Sequence, residues 1–356
     1  MFIIFFGRYK YKHKKHLFWD NQPVSTNKII NEGIISINPM IKIHLKESMY
    51  FQYLQNRDVH IEIFNFINNH FSENYQYSHT FLKQTLCYVN HLLGNTYNIG
   101  LYDNNLLIGF VHAKPITLFI KNRFIHVYYV DFLCVHTKYR KQNIATFLIS
   151  KVINSCHSKQ IFIFKKENKP LPFNYIHKSS YYYLYVNTTK NISKKNISNI
   201  SLYDNENINR NIKDMYLFIT KIQKKTLVYS YFSFIHFKKY FTNNHKKILV
   251  EYGPKHEIIA MLIFMEISFK INDKTLKTYD IENIYINGIS NYKILDSLLY
   301  HAKQKNVDMI SCLEHSYNKY FIDTYNMIKS MPIYFHMYNY HINKPIDQFN
   351  FIFNLI

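Results

Sequence analysis

The sequence predicts an α/β fold built from two similar units, and an internal repeat is the main observation behind this prediction. Residues 105–135 consist of two apolar strands joined by a short polar turn, and a helix with apolar positions at 144, 148, 152 and 156 follows. Residues 257–286 repeat this plan about 150 residues later, again before an amphipathic helix. The strands are apolar at nearly every position, which is typical of a sheet covered by helices on both faces.

A polar segment separates the two copies of the repeat. Residues 187–212 are rich in Asn, Ser and Lys, a composition that is typical of a connector. We therefore predict an N-terminal unit over residues 1–190, a polar connector over 191–212 and a C-terminal unit over 213–356.

The chain is strongly basic, with a formal net charge of +21 over 356 residues. Such a charge is typical of proteins that bind nucleic acid, an anionic membrane or a phosphate-bearing ligand. Lys, Asn, Ile, Tyr and Phe are all in excess, whereas Gly and Pro number only 7 and 8, so a biased coding sequence explains much of the lysine as well. Because no RNA-binding or zinc signature supports the charge, we expect no nucleic-acid partner.

The cysteines and the N-terminus bear on the cellular compartment. Four single cysteines without a C-x-x-C pair predict neither a zinc site nor a disulfide framework, and they favour the reducing cytoplasm. No apolar run approaches the ~20 residues that a membrane-spanning helix needs. The opening MFIIFFGRYKYKHKK has its apolar and basic parts in the wrong order for a secretory signal. Weak contact with a membrane surface and a packed or frayed N-terminal extension both stay open for it.

The junction between the strand ending at Val135 and the following helix has the charge pattern of an anion site. Lys138, Arg140 and Lys141 lie just before the predicted helix start, where unpaired backbone N–H groups favour an anion. Neither G-x-G-x-x-G nor G-x-x-x-x-G-K-[ST] is present. The pattern Arg140-x-x-Asn143-x-Ala145 instead resembles the Arg/Gln-x-x-Gly-x-Gly/Ala turn that binds the CoA pyrophosphate in GNAT-type acyltransferases. Asn is the mildest replacement for Gly there, because it tolerates left-handed backbone geometry.

A longer stretch around this junction resembles a specific family. DFLCVHTKYRKQNIATFLI (131–149) is similar to the N-myristoyltransferase segment NFLCVHKKLRSKRLAPVLI. Further resemblances follow in the family's order: FWDNQPV (18–24) to FWDTQPV, LIGFVHAKP (107–115) to LVGFISAIP, YYYLYVN (181–187) to YWHRSLN, CLEHSYNKYF (312–321) to ALDLMENKTF, and IYFHMYNY (333–340) to LQYYLYNW.

The resemblance implies a fold, an activity and a set of ligand-binding residues. The fold is two GNAT-like units that form one continuous saddle-shaped mixed sheet flanked by helices. The activity is transfer of myristate from myristoyl-CoA, as a co-substrate, to the N-terminal glycine of proteins, by a monomer without a metal or prosthetic group. The residues implied for acyl-CoA binding are Phe18, Trp19, Phe132, Leu133, Cys134, Val135, Lys141, Asn143, Ile144 and Ala145.

The resemblance also implies how the reaction is catalysed. Backbone N–H groups of Phe132 and Leu133 would stabilise the oxyanion of the thioester. The main-chain carboxylate of Ile356 would act as the base, with its pKa raised by burial in an apolar tail. No covalent nucleophile is required, so for Cys134 we favour an inert core thiol.

The chain departs from the family mainly on the peptide side. The family's acidic loop is reduced to Glu73, Tyr183 replaces a histidine, and residues 164–169 and 280–285 replace the family's YTAG loop and tyrosine cluster. Tyr181, Tyr183 and Glu73 are the predicted peptide-binding residues. Asp131 stands where the family has Asn; it either tunes the site or bonds to a neighbouring backbone N–H. Two alternatives stay open: an acyl-CoA-binding protein without transferase activity, and an acyltransferase with another acceptor.

Overall fold

The computed structural model describes residues 18–26, 28–29, 31–36, 41–54, 60–71, 75–77, 82, 86, 95–156, 161–189, 199–204, 207–243, 246–271, 274–288 and 293–353. Glu73, the Ile356 carboxylate, the basic N-terminus and residues 191–198 and 205–206 of the predicted connector lie outside these residues. Within the described part of the chain, no helix is long and apolar enough to cross a membrane.

The described residues form strands and helices in alternation. The strands are β1 (Gly33–Ile34), β2 (Met49–Tyr53), β3 (Tyr75–Gln76), β4 (Tyr97–Asp103), β5 (Leu106–Ile120), β6 (Arg123–Val135), β7 (Phe162–Glu167), β8 (Tyr175–Tyr185), β9 (Ile200–Tyr203), β10 (Val228–Tyr231), β11 (Lys246–Tyr252), β12 (Ile258–Ile271), β13 (Lys274–Ile286), β14 (Met309–Leu313), β15 (Ile328–Tyr338), β16 (Tyr340–His341) and β17 (Phe351–Ile352). The helices are α1 (His60–His70), α2 (Ile144–Ser155), α3 (Ile212–Gln223), α4 (Phe234–Asn243), α5 (Lys293–Gln304) and α6 (Asn318–Thr324).

Fifteen of the described strands belong to one mixed sheet. Its central order is β17-β10-β5-β6-β7-β15-β8-β14-β13-β12-β11-β9, with β4 attached beside β5, β2 beside β4 and β3 beside β12. Strand β15, from the C-terminal part of the chain, lies between β7 and β8 from the N-terminal part, and β10 pairs with β5. The two halves therefore share one continuous sheet, whereas the boundaries of the two predicted units stay a prediction.

The internal repeat is present in the structure. The hairpin β5–β6 is followed by α2 and by β7, which pairs with β6 in parallel. The hairpin β12–β13 is followed by α5 and by β14, which pairs with β13 in parallel. Each hairpin also carries one extra residue in its second strand, between Asp131 and Cys134 in the first and at Glu282 in the second. The sequence repeat thus extends to the irregularities of the sheet.

Helix α2 packs closely on β5 because Gly109 has no side chain. A Cβ atom at Gly109 would lie 2.8 Å from both Ile144 Cγ2 and Leu148 Cδ1, closer than carbon atoms approach in proteins. Ile144 and Leu148 are buried in the cluster that joins α2 to the sheet. Gly109 therefore fixes the height of α2 above the sheet, and with it the position of the helix start.

We expect Gly109→Ala to lower the free energy of unfolding by about 1–3 kcal/mol, because the added methyl group overpacks the α2–β5 contact. Gly253→Ala is the matched control, since its Cβ would meet only the flexible carboxylate end of Glu257. Urea unfolding of both variants checks this. Equal stabilities for the two variants would show that α2 can move away from β5 at no cost.

Candidate active site

The candidate site lies where β6 separates from its parallel neighbour β7. The two strands pair from Tyr128 with Phe162 to Val130 with Phe164, and the register ends there. On the other side of β6, pairing with β5 shifts by one residue between Asp131 and Cys134. Phe132, inside this bulge, has a φ of 48°, a left-handed conformation that is strained for an aromatic residue. The peptide units of Phe132 and Leu133 are thus taken out of regular pairing at the point where the sheet opens.

The turn that follows β6 has the backbone geometry that the sequence predicts for an anion site. Asn143 has a φ of 62° and Lys141 a φ of 66°, so two residues of this glycine-free turn are left-handed. Helix α2 begins at Ile144, and the Asn143 side chain makes no capping hydrogen bond to it. The first backbone N–H groups of a helix have no partner within the helix. Beside them, Lys138 and Lys141 are exposed, so the turn offers both amides and positive charge to a phosphate.

Arg140 has a different position from the two lysines. Its Nη2 atom donates a hydrogen bond of 2.8 Å to the carbonyl oxygen of His70, at the C-terminal end of α1. The rings of His70 and His136 lie 4.2 Å apart, so α1 also packs directly on the turn. Arg140 therefore links the C-terminal end of α1 to the turn that precedes α2.

The four residues of the FLCV segment point to both faces of β6. Phe132 and Cys134 are buried in the cluster that includes α1, and Leu133 and Val135 pack on the side of α2. Burial raises the pKa of the Cys134 thiol to about 12, so the thiol stays protonated at neutral pH. The interpretation of Cys134 as an inert core thiol agrees with this pKa.

Trp19 lies next to the opening between β6 and β7. Its ring centroid is 6.1 Å from that of Phe164, the last β7 residue that pairs with β6, and 5.0 Å from that of Phe173. Phe18 packs edge-on against it at 4.7 Å. Trp19 is 5% exposed. It is thus a core residue whose neighbours belong to the candidate site, and its contact with acyl-CoA stays a prediction.

Asp131 and Lys114 place opposite charges beside the bulge. The Asp131 carboxylate accepts a hydrogen bond of 2.9 Å from the backbone N–H of Phe132, one of the two outcomes expected for it from the sequence. Lys114 is 2% exposed on the neighbouring strand β5. Burial lowers the pKa of Lys114 to about 8, and the Asp131 carboxylate is the charge that most opposes this shift.

A second group of charges lies on the same sheet, in the C-terminal half. The Lys246 ammonium and the Tyr240 hydroxyl both donate to the Glu282 carboxylate, at 2.5 and 2.6 Å, and all three side chains are buried. The Asp280 carboxylate accepts a hydrogen bond of 2.6 Å from Ser311. Burial raises the pKa of Asp280 to about 6. The network as a whole comprises the cations Lys114, Lys165 and Lys246 and the anions Asp131, Asp280 and Glu282.

The predicted peptide-binding tyrosines lie close to this second group. Tyr183 is the register partner of Ser311, which is in turn the partner of Asp280. Tyr181 packs at the edge of the apolar cluster that contains Tyr129. The same cluster contains Phe353, whose ring centroid lies 5.4 Å from that of Tyr129. Phe353, the last described residue, is therefore buried in the core against Tyr129, which lies two residues before Asp131.

The sequence analysis did not single out Lys114 and Lys246 as site residues. For Lys114 the signal was present, because it is the one charged residue in the long apolar strand β5. Lys246 lies in KKILVEY beside two further charged residues, so its strand gave no such signal. Within the described residues, no group of three or more His, Cys, Asp or Glu side chains is arranged to hold a metal ion.

Comparisons with known proteins agree with this geometry. The family model described as "Myristoyl-CoA:protein N-myristoyltransferase, N-terminal domain" matches residues 36–165. A candidate glycylpeptide N-tetradecanoyltransferase of Melanoplus sanguinipes entomopoxvirus is 22% identical over 321 residues, which cover 88% of this chain and 97% of that protein. The glycylpeptide N-tetradecanoyltransferase of Dictyostelium discoideum is 28% identical over 166 residues, which cover 42% of this chain and 40% of that protein.

The fold is shared with a solved structure over nearly the whole chain. A crystal structure of Saccharomyces cerevisiae N-myristoyltransferase with bound myristoyl-CoA superposes with a TM-score of 0.75 at 17% identity, covering 94% of each chain. This similarity confirms the predicted fold of two GNAT-like units in one mixed sheet. Together with the family match and the relatives, it shows that the chain is similar to N-myristoyltransferases both in sequence and in fold.

Proposed function

We propose that this chain transfers myristate from myristoyl-CoA to the N-terminal glycine amine of client proteins. The observation that carries the proposal is the left-handed bulge at Phe132 beside the open end of the β6–β7 ladder, followed directly by the uncapped start of α2. The bulge offers backbone N–H groups to a thioester, and the helix start offers them to phosphates. In this proposal residues 1–190 bind acyl-CoA and residues 213–356 bind the acceptor peptide.

Acyl-CoA binding uses the two ends of the segment from Phe132 to Ala145. The phosphates lie at Lys141, Asn143, Ile144 and Ala145, where charge and free amides coincide. The thioester lies at the bulge, lined by Phe132, Leu133, Cys134 and Val135. Phe18 and Trp19 close the far side of the opening between β6 and β7, which the contact of Trp19 with Phe164 and the packing of Phe18 on Trp19 support.

The backbone N–H groups of Phe132 and Leu133 stabilise the oxyanion that forms when the amine attacks the thioester. Loss of one such donor typically slows acyl transfer by about 100- to 1000-fold. The acceptor nitrogen must also lose protons to become an amide, and we assign a base role to the carboxylate of Ile356. The packing of Phe353 against Tyr129 supports this assignment, because three further residues can extend at most about 10 Å from that point.

The acceptor peptide lies along Tyr181 and Tyr183, with Glu73 as the remaining member of the family's acidic loop. We further propose that the protein acts as a monomer in the cytoplasm and contacts membranes weakly through its basic N-terminus.

A second candidate function is acyl transfer to a different acceptor. The observation in its favour is that charged residues, Lys165 and Asp280 among them, occupy the segments that differ from the family.

A mixture of acyl-CoAs and a Gly-initiated peptide tests the reaction itself. We expect mass spectrometry to show one added myristoyl group on the peptide's N-terminus, because the proposed acceptor is the glycine amine. The same peptide with an acetylated N-terminus is the control and is expected to stay unmodified. Modification of an internal lysine instead would favour the second candidate function.

We expect Asn143→Gly to keep the affinity for myristoyl-CoA, since glycine adopts the observed left-handed conformation without strain. Asn143→Val should weaken binding by about 1–2 kcal/mol, because a β-branched residue is strained there. Trp19, the only tryptophan of the chain, provides a fluorescence signal for the titrations. Equal affinities of the two variants would show that the turn is not part of the myristoyl-CoA site.

The proposed role of Ile356 is tested by moving its carboxylate. Deleting residues 354–356, or adding Gly-Gly-Ser after Ile356, should lower kcat by about 100-fold or more, because the base is lost or displaced. The affinity for myristoyl-CoA should stay within about twofold in both variants, since the proposed CoA-binding residues lie elsewhere. Unchanged kcat in the extended variant would rule out the carboxylate as the base.

A further inference from the structure

The charged pair beside the bulge is absent from the family motifs that this chain otherwise resembles. Lys114 stands where the related motif LVGFISAIP has Ile, and Asp131 stands where NFLCVHKK has Asn. In the structure these two positions lie on adjacent strands: Lys114 pairs with Tyr129, and Asp131 pairs with His112. Residues directly opposite each other in an antiparallel pair point to the same face, as do residues two apart along a strand. The two departures thus place a buried cation and a half-buried carboxylate on the same face of the β5–β6 hairpin.

Asp131 accepts a hydrogen bond from a backbone N–H group that the proposed reaction needs. Its carboxylate accepts the N–H of Phe132 at 2.9 Å, and a hydrogen bond to a charged acceptor is about twice as strong as one to a neutral acceptor. While Asp131 is ionised, this N–H is therefore held away from a thioester oxygen. A carboxylate in this position also repels the oxyanion that the bulge is proposed to stabilise. Both effects disappear when Asp131 takes up a proton.

We propose that Asp131 is a proton acceptor for the acceptor amine, and that its protonation frees the Phe132 N–H for the oxyanion. The inference rests on the proposed function. An acceptor ammonium must lose two protons to become an amide: one before the nitrogen attacks, and one after the carbon–nitrogen bond has formed. Asp131 takes the first, which leaves the Ile356 carboxylate to take the second.

The steps balance in atoms and charge. The ammonium gives one proton to the Asp131 carboxylate, and the neutral amine attacks the thioester carbon to give a tetrahedral oxyanion with a positively charged nitrogen. The second carboxylate removes a proton from that nitrogen. The oxyanion then collapses, the carbon–sulfur bond breaks, and CoA leaves as a thiolate.

Several charged or titratable groups lie on the strands around Asp131. Lys114 and His112 face it from β5, and Tyr129 lies two residues away on its own strand. Lys246 and Glu282 act on Lys114 from the C-terminal half, and Glu167 of β7 acts on Tyr129. Lys114 is the cation of this set whose charge acts directly on Asp131.

The test compares Asp131→Asn with the double variant Lys114→Ile plus Asp131→Asn. Asn keeps an oxygen that can accept the Phe132 N–H but cannot take a proton. For Asp131→Asn we expect kcat to fall by about 100-fold, with the affinity for myristoyl-CoA within about twofold. The acid-side slope of log kcat against pH should fall from about two to about one, since one of two required carboxylates is gone. The double variant should regain the melting temperature of the parent protein but not its kcat.

Three results separate the outcomes. If the parent chain transfers myristate while Asp131→Asn keeps its kcat and its acid-side slope, Asp131 is not a proton acceptor and the proposed function still stands. If the double variant regains kcat, the pair is purely structural and the inference is wrong. If the parent chain transfers nothing, the proposed function itself fails. Glu266→Gln, which removes a surface carboxylate paired with Lys247 and Lys277, is the control and should keep both kcat and the slope.

Discussion

One extra residue in β6, opposite Val111, is the constraint on which the candidate site depends. It lies beyond the last pairing of β6 with β7, so the strand is free of its parallel neighbour where its own backbone is irregular. Phe132 takes a left-handed conformation there, a strain that costs on the order of 1–3 kcal/mol. The surrounding packing holds it in place: Phe132 is buried against α1, and Gly109 brings α2 close on the other face. The start of α2 and the bulge are thereby fixed relative to each other.

The hairpin β12–β13 has the same one-residue bulge as β5–β6, but an internal ion pair fills it. Its extra residue is Glu282, which lies just beyond the parallel pairing of β13 with β14. Lys246 and Tyr240 bind both carboxylate oxygens of Glu282, and the side chain of His315 and the amide of Asn318 bond to its backbone carbonyl. Breaking such a buried pair by removing one partner typically costs about 3–5 kcal/mol. The repeat therefore leaves one bulge beside an open strand end, while the other is filled by an internal ion pair.

The departures from the family motifs are not scattered over the molecule. Lys114, Asp131, Lys165 and Asp280 come from four strands, and they act on one another or on the Lys246–Glu282 pair. Three cations and three anions balance in this network, which a buried site requires because an unpaired charge in a low-dielectric interior is costly. Changes that look independent along the chain are thus coupled in space.

The sequence alone determined the features that are local in the chain. The strand–turn–strand–helix repeat follows from apolar periodicity, and both predicted helices are present as α2 and α5. The anion turn was predictable because Arg140, Asn143 and Ala145 are close neighbours in sequence, and the left-handed Asn143 follows from what its side chain allows. The resemblance to a family added the order of the motifs.

Only the tertiary structure decided which distant residues meet. The pairing of His112 with Asp131, and so the place of Lys114 beside it, depends on the register of a 15-stranded sheet with a bulge, and a shift of one residue would turn these side chains to the other face. The insertion of β15 between β7 and β8 likewise places Phe335 in the cluster of Tyr129, more than 200 residues away along the chain, and Phe353 contacts both rings there. Register and strand order are set by packing over the whole sheet, which no local pattern of residues specifies.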